Sequence, residues 1–316
     1  MSKKTVIVFG GSGFLGSHVA DALSDAGYQV KIFDCKLSPY LKSNQEMIIG
    51  DIMDLDAVIK AAKGCCFIFN LAGLADMDDA KNKPVVTAQL NVLGTVHVLE
   101  AARLTKADRF IFASSLYVYS AAGSFYRASK QSAEIFIEAY QEKYGLDFTI
   151  LRYGSLYGRR ADERNAIFCF LKQALEKRRI TYHGSPDSMR EYIHVADAAK
   201  LSVQILNQEY ANRHIILTGQ ERMPVKNLLK MISEMLQKPD QPVDCYFSTV
   251  KGYGHYEMTP YSFHPKVGNK LVSNDYVDLG QGLLDCLAEI HEKLNKKQHS
   301  EGDWLVSENS TKKNEI

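Results

Sequence analysis

A chain of 316 residues is long enough for one large domain or two intertwined ones, each with a sizeable buried core. Its 38 Lys and Arg against 37 Asp and Glu leave a formal charge of +1, which excludes a global field that would draw it to nucleic acid or to an anionic membrane surface. Hydrophobic residues make up 46%, a globular proportion, and no uninterrupted apolar run approaches the ~18 residues of a membrane span.

The chain opens on Lys3 and Lys4 before an apolar run, as a signal peptide does, but glycines cut that run after five residues and no small-residue cleavage site follows. Thr5-Val6-Ile7-Val8-Phe9 is β-branched and aromatic, which predicts a strand buried on both faces of a parallel sheet. Gly10, Gly13 and Gly16 follow, and Phe14, Leu15, Val19, Ala20 and Leu23 begin a helical apolar stripe. Gly10 suits a sharp turn, Gly13 a close backbone approach to a diphosphate, and Gly16 close helix–sheet packing. A second strand, 29–33, ends at Asp34, eighteen residues after Gly16. That is close to the ~20-residue offset at which an acid takes hydrogen bonds from an adenosine ribose. Strand, glycines, helix, strand and acid in this order predict a dinucleotide site. Because Asp34 would repel a 2′-phosphate, the cofactor expected is NAD rather than NADP.

Beyond Asp34, a polar stretch leads to Met47-Ile48-Ile49 and Gly50-Asp51, where Asp51 reads either as a neighbour of the adenine or as a helix N-cap. A helix is expected over 54–62 and a buried strand over 66–71, followed by Asn70-Leu71-Ala72-Gly73, whose small residues let a cofactor pass close to the backbone. Pro84 opens a long helix to Leu104 that carries Asn91, read equally as a buried hydrogen-bonding amide or a surface one. Strand 109–113 delivers Ser114-Ser115 to its carboxyl end. Alternation of strands and helices at this spacing indicates an α/β, doubly wound parallel sheet, whose ligands bind at the carboxyl ends of the strands.

The chemistry is expected between Ser115 and Lys130. Tyr126 and Lys130 are four residues apart in a segment, 126–144, with helical apolar spacing, so phenol and ammonium share a face. A tyrosine of ordinary pKa near ~10 is a poor base at neutral pH until a cation favours its phenolate, and Lys130 offers that cation. Further strands are expected over 148–151, 180–183 and 214–217, and helices over 165–176, 197–207 and 225–236. Six cysteines without a C-x-x-C motif read as reduced thiols of a cytoplasmic protein, and nine histidines without metal spacing predict no metal site.

Taken together, these motifs resemble the extended short-chain dehydrogenase/reductase superfamily, in its NAD-dependent nucleotide-sugar epimerase/dehydratase group. The likeness rests on Gly10-x-x-Gly13-x-x-Gly16, Asp34, Asp51, Asn70 to Gly73, Asn91, Ser114-Ser115-x-x-Val118-Tyr119, Tyr126-x-x-x-Lys130, Leu151-Arg152-Tyr153-x-x-x-Tyr157-Gly158 and Arg190 to Val195. It implies a Rossmann fold with a smaller C-terminal substrate domain. Residues 1–155 would form the NAD domain, completed by about 191–218, with 156–190 and 219–295 holding the sugar nucleotide and 296–316 a disordered tail. Ser115, Tyr126 and Lys130 would be catalytic. NAD would meet Gly10, Gly13, Phe14, Leu15, Gly16, Asp34, Asp51, Ile52, Leu71, Ala72, Gly73, Asn91, Tyr126, Lys130 and Tyr153. Arg190 would grip the substrate diphosphate, with Ser155 and Tyr182 beside it.

The implied activity is epimerisation, most simply at C4, through a transient keto-sugar in glycan or surface-polysaccharide precursor synthesis. A net dehydrogenase or ketoreductase, or an NAD-binding protein without catalysis, stays as the alternative. Relatives that eliminate water carry an Asp-Glu pair where this chain has Leu116 and Tyr117, so no dehydration is expected; Asp76, Asp78 and Asp79 read as a solvated loop. The resemblance also implies a homodimer built on 85–104 and 126–144. Three departures stand out: only six residues separate Tyr119 from Tyr126, Ser155 replaces a usual asparagine, and the chain after Asp244 lacks a usual arginine, for which Lys251, Lys266 or Lys270 could substitute.

Overall fold

The computed structural model describes residues 4–219, 222–236 and 238–248. Lys251, Lys266, Lys270, Cys286, the stretch 249–295 of the expected substrate domain and the expected tail 296–316 lie outside the described residues. In chain order the elements are β1 (Thr5–Phe9), α1 (Phe14–Asp25), β2 (Gln29–Asp34), β3 (Gln45–Ile49), α2 (Leu55–Ala62), β4 (Phe67–Asn70), α3 (Met77–Asn82), α4 (Pro84–Ala88), α5 (Gly94–Thr105) and β5 (Arg109–Ser115). They continue as α6 (Ser124–Tyr144), β6 (Phe148–Tyr153), β7 (Ser155–Tyr157), α7 (Ala166–Lys177), β8 (Arg179–His183), β9 (Met189–His194), α8 (Val195–Gln204), β10 (Arg213–Leu217), β11 (Arg222–Pro224), α9 (Val225–Leu236) and β12 (Asp244–Ser248).

Seven parallel strands form the central sheet in the order β10-β6-β5-β4-β1-β2-β3. Alternate residues of β1 go to opposite layers. Ile7 and Phe9 pack with Val58 of α2, Val98 and Leu99 of α5 and Ile137 of α6, whereas Val6 and Val8 pack with Val19 and Leu23 of α1 and Ala198 of α8. These four side chains of β1 are fully buried, which is why the strand reads as an unbroken apolar run instead of an alternating one. A third cluster joins Phe170 and Ala174 of α7, Ile180 and Tyr182 of β8, and Leu229 and Ile232 of α9. There β7, β9 and β11 make a three-stranded sheet, and β8 pairs with β12.

The long helix after Pro84 differs from its expected regular form. Between α4 and α5 the stretch Gln89–Leu93 is π-helical, one extra residue per turn that lets the polar Asn91 point inward. Within Pro84–Thr105 an 18-residue window has the length and mean hydropathy, 1.2, of a membrane span, yet 44% of that window is buried in this fold. Residues 76–79, expected as a loop, instead start α3: Asp76 Oδ1 accepts from Asp79 N at 2.8 Å and Asp79 pairs with Lys83 at 2.7 Å. The three-residue strands β7 and β11 are too short to show a period in sequence.

Candidate active site

From β1 the chain winds outward through β2 and β3, and from β4 through β5 and β6 in the other direction, so a crevice opens above the β1/β4 boundary. Gly10 there has φ +78°, donates its N–H to Phe33 O at 2.8 Å, and has Ala72 N only 2.6 Å from where a Cβ would sit. A Cβ on Gly16 would strike Gly10 O at 2.1 Å, so α1 can approach the loop only with glycine there. By contrast, a Cβ on Gly13 would meet only Gly10 O, at 3.3 Å, so the space beside it is otherwise open. Helix α1 begins next to it without a side-chain cap, leaving first-turn N–H groups to an outside acceptor. Asp34 accepts from Ser12 N at 3.0 Å and Lys36 N at 3.1 Å, one bond per oxygen, and a carboxylate can take two more donors. Cradle and acid together fit a dinucleotide diphosphate and its ribose.

Other expected cofactor residues fall into two groups. Phe14 lines the neighbouring cavity, and Leu71 N bonds Phe9 O at 2.9 Å, which runs 71–73 along the crevice edge. Asp51 is exposed and closes a turn on Met53 N at 2.9 Å; the cap of α2 is Asp54, so the N-cap alternative for Asp51 fails. Leu15 and Ile52 turn their side chains into the core, leaving their backbone alone for a ligand. Asn91 is buried, with its carbonyl accepting from Leu74 N at 2.7 Å and its amide donating to Leu74 O and Ser129 Oγ, each at 3.0 Å. Both amide protons are thereby used, and Asn91 ties the turn after β4 to α6. Its Oδ1 lies 2.5 Å from the Cβ position of Gly73, which therefore has no room for a side chain.

Ser115 ends β5 and is bonded to Tyr126 of α6. Burial raises the Tyr126 phenol above its ordinary value, a cost that the Ser115 bond only partly offsets. Lys130 does not aim at the phenol as expected. Its Nζ donates to Ala113 O at 2.7 Å, 5.9 Å from the Tyr126 ring centre and 4.7 Å from that of Phe112. Burial pulls the ammonium down to about 8, opposed by the Glu134 carboxylate one turn further on. The six-residue connection before Tyr126 is closed by Gly123 at φ +102° and by Arg127, whose Nη1 donates to Ser120 O and Ala121 O at 2.9 and 2.7 Å.

A cavity of about 550 Å³ opens here, and Ser115, Tyr126, Tyr153, Ser155, Tyr182 and Arg190 all line it. Tyr153 bonds Ser202 of α8 through its hydroxyl at 2.6 Å, which leaves its ring for the cavity. Arg190 is 8% exposed and donates to Met189 O at 2.9 Å. Tyr182 packs edge-on against Phe170 and Phe247. Beyond the expected set, the lining also takes in Asp76 and Asp78 at the start of α3, read from sequence as a solvated loop, and Asn165. Asn165 caps α7 by accepting from Phe168 N at 3.1 Å and donates to Leu156 O at 2.7 Å. An Asn just before an apolar helical stripe was its legible signal.

Fold and crevice define a dinucleotide-binding α/β protein with a serine, a tyrosine and a lysine beside the cofactor cleft. The family model described as the NAD dependent epimerase/dehydratase family matches residues 6–218, and the chain belongs to that family. It is 32% identical to a putative UDP-glucose 4-epimerase of Methanocaldococcus jannaschii over 224 residues, 64% of this chain and 73% of that protein. Among solved structures it is similar to the UDP-N-acetylglucosamine 4-epimerase of Methanobrevibacter ruminantium in complex with UDP-N-acetylmuramic acid. That match has 28% identity, 82% of this chain and 89% of the other covered, and a TM-score of 0.74. The Thermus thermophilus UDP-glucose 4-epimerase in complex with NAD shares the fold at 22% identity and a TM-score of 0.72, covering 84% and 95%.

Proposed function

We propose that this protein is an NAD-dependent nucleotide-sugar 4-epimerase that acts on a UDP-hexose. The observation that carries the reading is that Ser115, Tyr126 and Arg190 all line one cavity. Bound NAD supplies a reversible hydride acceptor. Tyr126 takes the proton from the sugar hydroxyl and later returns it, while Ser115 bonds the same oxygen and holds it in line. Lys130 keeps a positive charge behind the phenol. In the same cavity, Arg190 would bring its guanidinium fork to diphosphate oxygens, and the N-terminus of α7 beside Asn165 would add backbone donors. Ser155 and Tyr182 flank the nucleoside. Leu116 and Tyr117, the two residues after Ser115, line the cavity without a carboxyl, so an acid for loss of water would have to come from Asp76 or Asp78 across the cavity; inversion is the reading preferred. The role fits precursor supply for glycans. The test is incubation with UDP-glucose, UDP-N-acetylglucosamine and UDP-glucuronate, with proton NMR couplings reading the configuration at C4; no inversion in any of them rejects the reading.

Asp34 sets the cofactor choice in this reading. Its exchange for Ser is expected to weaken NAD and to relax the rejection of NADP, because one group supplies both the ribose acceptor and the repulsive charge. Calorimetric titration of both cofactors checks it, and unchanged relative affinities would count against it.

The working form is a cytoplasmic homodimer, with no call on membrane or nucleic acid. Val85 and Leu93 before α5 and Phe125, Ile135, Phe136 and Tyr144 on α6 expose large apolar side chains on neighbouring helices. Pairing with a second copy as a four-helix bundle would cover them. Light scattering at micromolar concentration should give twice the chain mass, and a monomer rejects the dimer.

A further inference from the structure

Behind the catalytic wall lies a buried charged network that the chemistry above leaves unused. Arg152 of β6 reaches Glu134 of α6 through Nε at 3.0 Å and Nη2 at 2.5 Å, a two-pronged pair with side chains only 14% and 9% exposed. Ser114, the residue before the catalytic serine, donates to Glu134 Oε1 at 2.5 Å. Arg152 also donates to the Tyr119 hydroxyl and meets His214 Nδ1 at 2.8 Å, and His214 Nε2 lies 3.1 Å from Glu138. One carboxylate thus joins the ends of β5 and β6, the turn after Ser115, and α6.

We propose that Glu134, held by Arg152, is a positioning residue for catalysis: it fixes Ser114, and with it Ser115, against α6, and its charge keeps Lys130 an ammonium.

Geometry and charge both favour this role. Lys130 and Glu134 are i and i+4 on α6, so their side chains lie on one face. The neighbours of Lys130 on β5 are the Phe112 ring and the Ala113 carbonyl; toward α5, Ser129 and Asn91 are neutral. On its own helix it has Tyr126 and Glu134, and the remaining charged groups, Arg152 of β6, His214 of β10 and Glu138 of α6, lie beyond Glu134. Burial and the Arg152 charge both lower the His214 pKa, so the imidazole is neutral at pH 7 and adds no cation. Glu134 is therefore the carboxylate that opposes the desolvation of Lys130. A buried pair kept only for stability could be replaced by apolar side chains at little cost, whereas a carboxylate kept for its charge could not.

The inference rests on the epimerase reading for its kinetic arm alone. In protein selectively 13C-labelled at lysine, the Lys130 resonance is identified by its loss in Lys130→Arg and titrated by NMR, which needs no substrate. Glu134→Gln keeps the bond to Ser114 and removes the charge. It should move the Lys130 midpoint to lower pH by ~1 unit, the size of one nearby charge. The alkaline limb of kcat should move by the same amount, with KM for the sugar nucleotide little changed. Glu134→Asp, which restores the charge, should bring both back towards the native positions. Where Glu134→Gln alone does not fold, the double variant Glu134→Gln/Arg152→Met removes both charges and should still lower the midpoint. A Lys130 midpoint that stays within ~0.2 unit of native in these neutral variants overturns the proposal. Loss of the epimerase reading would leave the NMR arm standing.

Discussion

Exchange of Tyr126 for Phe is expected to lower turnover by a factor on the order of 10²–10⁴ while the fold and NAD affinity stay native. Only the hydroxyl is removed. The ring keeps its edge-on contact with Tyr117 at 6.1 Å, and α6 keeps its length, so nothing that packs is lost. What disappears is the oxygen that meets Ser115, and that in the proposed reaction takes the substrate proton. Two other phenols of the cavity are already committed: Tyr153 bonds Ser202, and Tyr182 is packed among aromatic rings. Turnover measured beside a thermal melt and an NAD titration separates the outcomes. Near-native turnover in a folded, NAD-binding variant would remove Tyr126 as the base.

Lys130→Met is expected to cut turnover by at least ~10² and, if Lys130 also meets the cofactor as the family resemblance implies, to weaken NAD as well. Methionine fills the stem of the side chain but leaves Ala113 O without its donor. The pH dependence follows from burial. With the ammonium pulled down to about 8, activity that needs it is full at lower pH and falls as pH rises through that value; the variant should lack this limb. Stability runs the other way. A cation penalised by burial costs the fold most below about 8, and that cost fades as pH rises towards the ordinary lysine value, so the Met variant should melt no lower than native at pH 7. Turnover and melting measured from pH 6 to 10 check both signs. A variant whose alkaline limb matches the native one would assign that limb to another group.

Much of this was legible because parallel strands buried on both faces write themselves as short apolar runs, and β1, β4 and β5 do so plainly. The positions of Gly10, Asp34, Ser115 and Tyr126 around the crevice were legible for a different reason: each has the residue type and offset that the proposed chemistry would require. What sequence hid depends on neighbours far along the chain. The amide of Asn91 is committed to Leu74 and Ser129, and the ammonium of Lys130 turns to Ala113 O, because of where β4 and β5 lie beside α6. Asp76 and Asp78 looked like a solvated acidic stretch, since a six-residue helix capped by its own aspartate has too few turns to show a period. Arg152 and Glu134 are eighteen residues apart, a spacing that no local rule connects.

The most direct test of the central claim is to run the reaction on a UDP-hexose in D2O and to weigh and assign the product. If Ser115, Tyr126 and Lys130 drive a reversible oxidation in which the hydride returns to the carbon it left, the product is inverted at C4 with its carbon-bound hydrogens unexchanged and its mass unchanged. One deuterium on carbon, or the loss of one water, would contradict that account.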